Sequence, residues 1–332
     1  MQVDDFVGVR NVLEPRRLRE LSERSDTKGL FQAATHLGAI AATTTALALT
    51  WGTWWAAPFF FLQGILLVQL YAAEHECYHA TAFKSRWLND WFGRLFGFIN
   101  FYPSDYDKWQ HFAHHRHTQD WEKDTELLKR KPYTSPWQLV WVLSGLPFFY
   151  YRLKSIIGHA VRHIPEKVFT PKQTEILVLS ARLHLLGYAL IAASAVAMES
   201  WWPLIYWVGP MVSAKWVYWL QGISEHTATT HYPNTLLNTR TFKTNAFMRW
   251  VHWNMVYHTV HHTFPSVPFH RLPELHREVS AKYPHPLPVV TYWGCFMMLF
   301  RELRRGRTEH DMVRDADAAF AARMGLQPKA AE

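Results

Sequence analysis

Residues 29–73 read GLFQAATHLGAIAATTTALALTWGTWWAAPFFFLQGILLVQLYAA, 45 residues bounded by Lys28 and Glu74 with no Lys, Arg, Asp or Glu between them. A helix crosses the hydrocarbon core of a bilayer in about 20 apolar residues, so a run of this length holds two spans and a tight connection. Trp54, Trp55 and Pro58 mark the connection. Trp collects where one side of a ring is apolar and the other wet, and Pro interrupts a helix. The stretch predicts one span at about 33–54 and a second at about 58–74.

A second pair follows. Residues 176–198 contain Arg182 as their only full charge and residues 202–221 only Lys215, with Glu199-Ser-Trp-Trp-Pro203 as a short loop. In antiparallel helices both cations lie about six residues from one membrane face. Long basic side chains so placed snorkel to the water; the alternative is that one of them faces a substrate cavity. The loops at 55–58 and 199–202 hold no Lys or Arg, while the N-terminal arm, the 80–175 segment and the C-terminal third carry the basic residues. The positive-inside rule then places the N-terminus, the middle segment and the C-terminus in the cytoplasm.

Residues 136–151 are apolar but short and Pro-interrupted, and they predict an interfacial helix rather than a fifth span. Residues 287–300 read the same way. The fold class expected is an all-α integral membrane protein with four transmembrane helices in two hairpins and a cytosolic helical cap. Its parts are a cytosolic arm at 1–32, a catalytic domain at 33–300 and a polar tail at 301–332.

Composition agrees. The 332 residues include 17 Trp, 21 Phe and 14 Tyr, an aromatic load beyond the needs of a small soluble core. A net charge of +8 points to nucleic acid or to an anionic membrane face. No nucleic-acid-binding motif accompanies it, which leaves the membrane lipids as partner. Cys77 and Cys295 build neither a disulfide framework nor a thiolate metal site. The N-terminus opens with Asp4 and Asp5 and runs through Arg10, Arg16, Arg17 and Arg19 before any apolar stretch, unlike a secretory signal.

Twenty histidines carry the chemistry. They cluster as His75-Glu-Cys-Tyr-His79, His111-Phe-Ala-His114-His115 and His258-Thr-Val-His261-His262, with His226 as a single further candidate. Residues at i, i+3 and i+4 share a helix face, so each triplet can aim three imidazoles at one point. One such triplet is rare by chance even at this histidine content, whereas a lone HxxxH is not. All the clusters fall at the ends of spans, or in segments, that charge alone assigns to the cytoplasm. Nine imidazoles are too many for one zinc and suit two metals, each with a position left open. Iron is the metal of this kind most used for oxygen chemistry on unactivated carbon, so two Fe ions are expected ahead of two zincs or two coppers.

The rival reading is sharp. His75-Glu76-Cys-Tyr-His79 is literally HExxH, in which Glu76 would activate a zinc-bound water in an intramembrane protease. That reading leaves both triplets unexplained and lacks a downstream Leu-Asp-Gly. Glu76 is better read as a carboxylate that supports a ligand.

At these residues the chain resembles the membrane fatty acid desaturase family. His75 through Asp90 is similar to its first histidine box and the turn after it, and His111 through Leu127 to the second. Asn238-Thr-Arg-Thr, followed by Trp253 through Pro268, is similar to the third. The resemblance implies a di-iron centre ligated by His75, His79, His111, His114, His115, His226, His258, His261 and His262, with four spans and a cytosolic cap. It implies Asn254 as a water-holding or supporting residue, and Asp120, Asp124, Glu225 and Glu274 as candidates to orient imidazole N–H groups. Thr125 departs from the Pro that relatives often carry. There is no His-Pro-Gly-Gly and no length for a fused haem domain, so electrons are expected from a separate donor, such as a ferredoxin or another small redox protein.

The activity so implied is O2-dependent desaturation of a fatty acyl chain or similar lipid-like substrate. Hydroxylation of a lipid or other amphiphile is the alternative, because the same ligands serve both. A membrane metal-binding or transport protein would want polar groups near the bilayer midplane rather than at helix ends.

Overall fold

A computed structural model describes residues 11–165 and 169–326. The acidic opening at Asp4 and Asp5, together with Arg10, lies outside the described residues. The described chain is almost wholly helical, with one two-residue parallel pairing of β1 (Thr241–Phe242) and β2 (Val289–Val290). It divides into two compact units. One comprises Asp26–Trp109 and Trp141–Tyr218, the other Met1–Ser25, Gln110–Val140 and Trp219–Glu332.

The helices in chain order are α1 (Pro15–Leu21), α2 (Asp26–Thr50), α3 (Ala56–Tyr78), α4 (Arg86–Asn100), α5 (Ser104–His117), α6 (Pro136–Leu143) and α7 (Leu146–Ala160). They continue with α8 (Pro171–Ala197), a π-helical turn at Leu204–Val208 running into α9 (Gly209–His226), α10 (Ala246–Val251) and α11 (His258–Thr263). The last three are α12 (Leu272–Lys282), α13 (Tyr292–Arg304) and α14 (Glu309–Met324).

The first unit is the apolar one. Among the described residues two helices, α3 and α8, are long and apolar enough to cross a membrane. Helix α8 leaves Leu179, Leu183, Leu186, Leu190 and Val196 exposed, a stripe that water would penalise and lipid would not. Helix α2 occupies the first expected span but is diluted by Thr43, Thr44 and Thr45, and α9 is short because the π turn precedes it. The chain turns between Trp51 and Trp55 with Trp51, Trp54 and Trp55 exposed, close to the expected position.

Small residues and polar contacts bring the helices of this unit close together. A Cβ at Gly64 of α3 would collide with the Pro210 carbonyl and Ala214, so glycine sets the approach of α9. The Gln63 amide, itself buried, donates to Thr44 Oγ1 at 2.9 Å and to the Tyr206 carbonyl at 3.1 Å. His36 lies 2.9 Å from the Leu66 carbonyl, a helix-to-helix tie.

Two expectations change here. Residues 136–151 form two helices rather than one, because Gly145 at φ 72 breaks the run and Pro147 opens α7, which then continues to Ala160. Lys215 does not snorkel: its side chain is buried, with Nζ 3.5 Å from the Phe148 ring centroid and 4.0 Å from that of Tyr218. Arg182 instead donates to the Ala160 carbonyl at 3.0 Å.

The other unit has a conventional core of Leu13, Leu21, Leu236, Val260, Phe264, Leu272, Leu275 and Val279. The N-terminal helix α1 is thus packed in, and Arg17 ties it to Glu274 at 2.6 Å and Glu278 at 2.5 Å. The segment after Arg301, read from sequence as a polar tail, carries α14. Its Phe320 stacks on Tyr232 at 4.5 Å, and its Glu309, buried, receives two hydrogen bonds from Arg130 at 2.6 and 2.7 Å.

Candidate metal centre

Three helix ends in this second unit deliver the imidazoles. Helix α5 carries His111, His114 and His115 in its last turns, α9 ends on His226, and α11 is little more than His258, His261 and His262. Trp253 and Asn254 both adopt positive φ (47° and 56°) and turn the chain sharply into α11. Strain of that kind persists only where the surroundings enforce it.

The rings converge in two sets. His114, His226 and His262 offer nitrogens within 4.8 Å of one another, and His226, His258 and Glu225 do likewise. His226 Nε2 sits 3.3 Å from His114 Nε2 and 2.9 Å from His258 Nε2. His111, His115 and His261 form the second set by the same measure. His262 joins the two, with ring centroids 4.1 Å from His115 and 4.4 Å from His258. In the first unit, α3 ends on His75 followed by His79, their ring centroids 5.1 Å apart.

Electrostatics decide what such crowding is for. Burial pushes the His262 imidazole down, and His115, His258, His226 and His114 press it further the same way. Burial and His114 do the same to His226. These rings stay neutral, each with a lone pair to offer. His262 Nε2 is buried with no hydrogen-bond partner among the described residues, a costly position for a polar atom unless a cation accepts its lone pair. Neutral imidazoles converging on shared points fit iron well.

His114 is held differently. Burial opposes its protonation, but Asp124 and Glu126 outweigh burial and hold its pKa at about 9. Asp124 lies 2.8 Å from His114 Nδ1 and is itself fixed by the Gln119 and Glu126 backbone N–H groups at 3.0 and 2.9 Å. With Nδ1–H donated to the carboxylate, Nε2 faces the set. The Thr125 hydroxyl donates to the Gln110 carbonyl at 2.6 Å, so the residue that replaces Pro here stitches this loop to α5.

A family model for fatty acid desaturases matches residues 50–293, well over half of the chain. The chain belongs to the fatty acid desaturase family. It is 29% identical over 259 residues to the sphingolipid delta(4)-desaturase of Drosophila melanogaster, covering 74% of this chain and 72% of that one. It is 27% identical to the sphingolipid delta(4)-desaturase/C4-monooxygenase of Homo sapiens over 74% of this chain and 71% of the relative. The sn-1 oleoyl-lipid 12-desaturase of Anabaena variabilis is 24% identical over 68% of this chain and 58% of its own length. Membership makes the chain an oxidoreductase acting on lipids.

Within this desaturase-family chain the expected supporting carboxylates separate. Asp124 touches a ring nitrogen, and Glu225 Oε1 lies 3.9 Å from His258 Nδ1, beyond hydrogen-bond reach. Asp120 caps its own turn through the Glu122 N–H and pairs with Lys123 at 3.3 Å. Glu274 is taken by Arg17 and Arg271. Asn254 donates to the Phe269 carbonyl at 3.2 Å, and Glu76 accepts from Thr81 at 2.8 Å. Sequence spacing cannot see that Asp120 and Asp124 end on opposite sides of one turn. It also passed over Gln119, whose side chain donates to the His226 carbonyl at 2.8 Å.

Asp124→Asn keeps the shape but removes the anionic acceptor. Groups that orient a metal-bound imidazole typically change metal affinity 10–100-fold, and a loss of about that size is expected. Metal content after graded chelation measures it; parent-like retention would mean that Asp124 serves the fold alone.

Proposed function

We propose that the chain is an O2-dependent di-iron desaturase that introduces a double bond into the acyl or sphingoid chain of a lipid. Convergence of seven imidazoles from three helix ends, two of them in contact through His226 Nε2, carries the reading. His114, His226, His258 and His262 would hold one iron and His111, His115 and His261 serve the other. The family's first box assigns His75 and His79 to the same ligand complement.

When bound, the irons supply the oxidising power, drawn from O2 and two electrons, that takes two hydrogens from adjacent methylenes. The balance is one alkene and two waters from the saturated chain, O2, two electrons and two protons. The chain's own residues keep the His226 and His262 rings neutral, orient the His114 ring through Asp124 and bury the set away from water. The electrons come from a separate small redox protein such as a ferredoxin. Helices α2, α3, α8 and the π turn with α9 form four spans, with both termini and the metal centre on the cytoplasmic side.

Hydroxylation is the second reading, favoured by one observation: a relative at 27% identity carries both desaturase and monooxygenase in its name. Lipid profiling by mass spectrometry tests both, in a host supplied with a ferredoxin system and beside a His261→Ala control. A new unsaturated chain absent from the control is the expected result. A hydroxylated chain would move the assignment to the second reading. No new lipid, from iron-loaded protein that the donor demonstrably reduces, would overturn both.

A further inference from the structure

Helix α9 ends in an unusual way. The last carbonyls of a helix have no partner within it, and buried ones must find partners elsewhere. Here five consecutive carbonyls are satisfied at once, and one side chain does most of it. Arg240 Nη1 donates to the Ser224 carbonyl at 3.1 Å and to that of Thr227 at 2.7 Å, while Nη2 reaches the Ala228 carbonyl at 3.2 Å. Its backbone N–H takes the Glu225 carbonyl at 3.1 Å. The remaining one, at His226, receives Gln119 Nε2 at 2.8 Å and the Thr229 hydroxyl at 2.9 Å.

Two further facts sharpen this. Arg240 is 7% exposed and its guanidinium donates to three carbonyls, with no carboxylate among the described residues hydrogen-bonded or ion-paired to it. A buried charge without a counter-ion is costly, and the negative end of the α9 dipole is what offsets it. Ala228 sits at φ 58, a left-handed conformation that a side-chain-bearing residue adopts at a cost. The fork holds that residue in place.

We propose that Arg240 is a positioning residue for the metal ligand His226, fixing the direction in which the α9 terminus delivers its imidazole toward His114, His258 and His262. The inference rests on His226 being a ligand. A guanidinium spans three carbonyls in one plane; an ammonium keeps the charge but not the span. Arg240→Lys therefore separates positioning from charge.

The test uses the full chain in detergent, stripped of metal and titrated with Co(II), whose visible absorption reports coordination. Four proteins are compared: parent, Arg240→Lys, His226→Ala and the double variant. Arg240→Lys is expected to elute and melt as a folded protein, yet to bind one of two Co(II) ions 10–100-fold more weakly with a shifted spectrum. The double variant is expected to be no worse than His226→Ala alone. Should the lysine protein not fold, Arg240→Gln, which retains a planar donor without a buried charge, takes its place. Parent-like Co(II) binding by the Arg240 variant, or additive losses in the double variant, would overturn the proposal. Retention of both Co(II) ions and an unchanged spectrum in His226→Ala would instead remove the ligand assignment on which it rests.

Discussion

His262→Ala is expected to abolish product formation and lower metal content, and His252→Ala to leave the metal content at the parent level. His262 belongs to the first set and packs against the second, with His115 at 4.1 Å, His258 at 4.4 Å, His226 at 4.7 Å and His114 at 5.0 Å. Its buried Nε2 has no hydrogen-bond partner among the described residues. Losing a direct ligand exceeds the 10–100-fold typical of the groups that orient one, so activity should fall by well over about 100-fold. His252 is equally buried but stands outside both sets. Iron per chain and lipid product, read on the same preparations, give the comparison. Equal losses in the two variants would show that any buried imidazole in this region matters only for folding.

Asp107→Ala is expected to be the most destabilising single change in the apolar unit. Arg152 Nη1 donates to both Asp107 oxygens at 2.7 and 2.9 Å, and its guanidinium carbon lies 3.6 Å over the Tyr102 ring. The Lys215 side chain shares the Tyr102 and Phe148 rings with Arg152. Asp107 is thus the anion hydrogen-bonded to the Arg152 guanidinium in a closely packed region. Removing one partner of a buried pair typically costs about 3–5 kcal/mol, because the other charge is stranded. Removing both costs far less. Asp107→Ala should lower the melting temperature in detergent markedly, and Asp107→Ala/Arg152→Met should recover most of that loss. A double variant no more stable than Asp107→Ala would show that the pair's geometry, not the stranded charge, is what the unit needs.

Glycine has a comparable role close by. A Cβ at Gly97 of α4 would run into the Tyr102 carbonyl and the buried Glu74 carboxylate. The last turn of α3 is thereby packed tightly just before His75.

The convergence of the histidine clusters was legible from spacing because it is periodic. Three imidazoles at i, i+3 and i+4 share a helix face wherever that helix lies, and α5 and α11 present them so. The helical class and the two helices long and apolar enough to cross a membrane, α3 and α8, were equally legible, since an apolar run of such length has few other structures open to it. His226 was readable only as a candidate, one imidazole at the end of a helix.

What the linear chain could not decide is which polar groups meet. Asp120 and Asp124 look alike in sequence, but only Asp124 reaches His114, because the turn at 117–124 curls one toward α5 and the other toward solvent. Glu274 is diverted to Arg17, 257 residues earlier in the chain. Lys215 looked like a side chain bound for the membrane surface, yet Phe148, from a helix that Gly145 turns toward it, closes over its ammonium. The chain by itself determined the elements and the ligand types, which depend on local periodicity and hydropathy. Tertiary structure alone chose the partners of each buried charge, because that choice turns on desolvation and on distances that only packing creates.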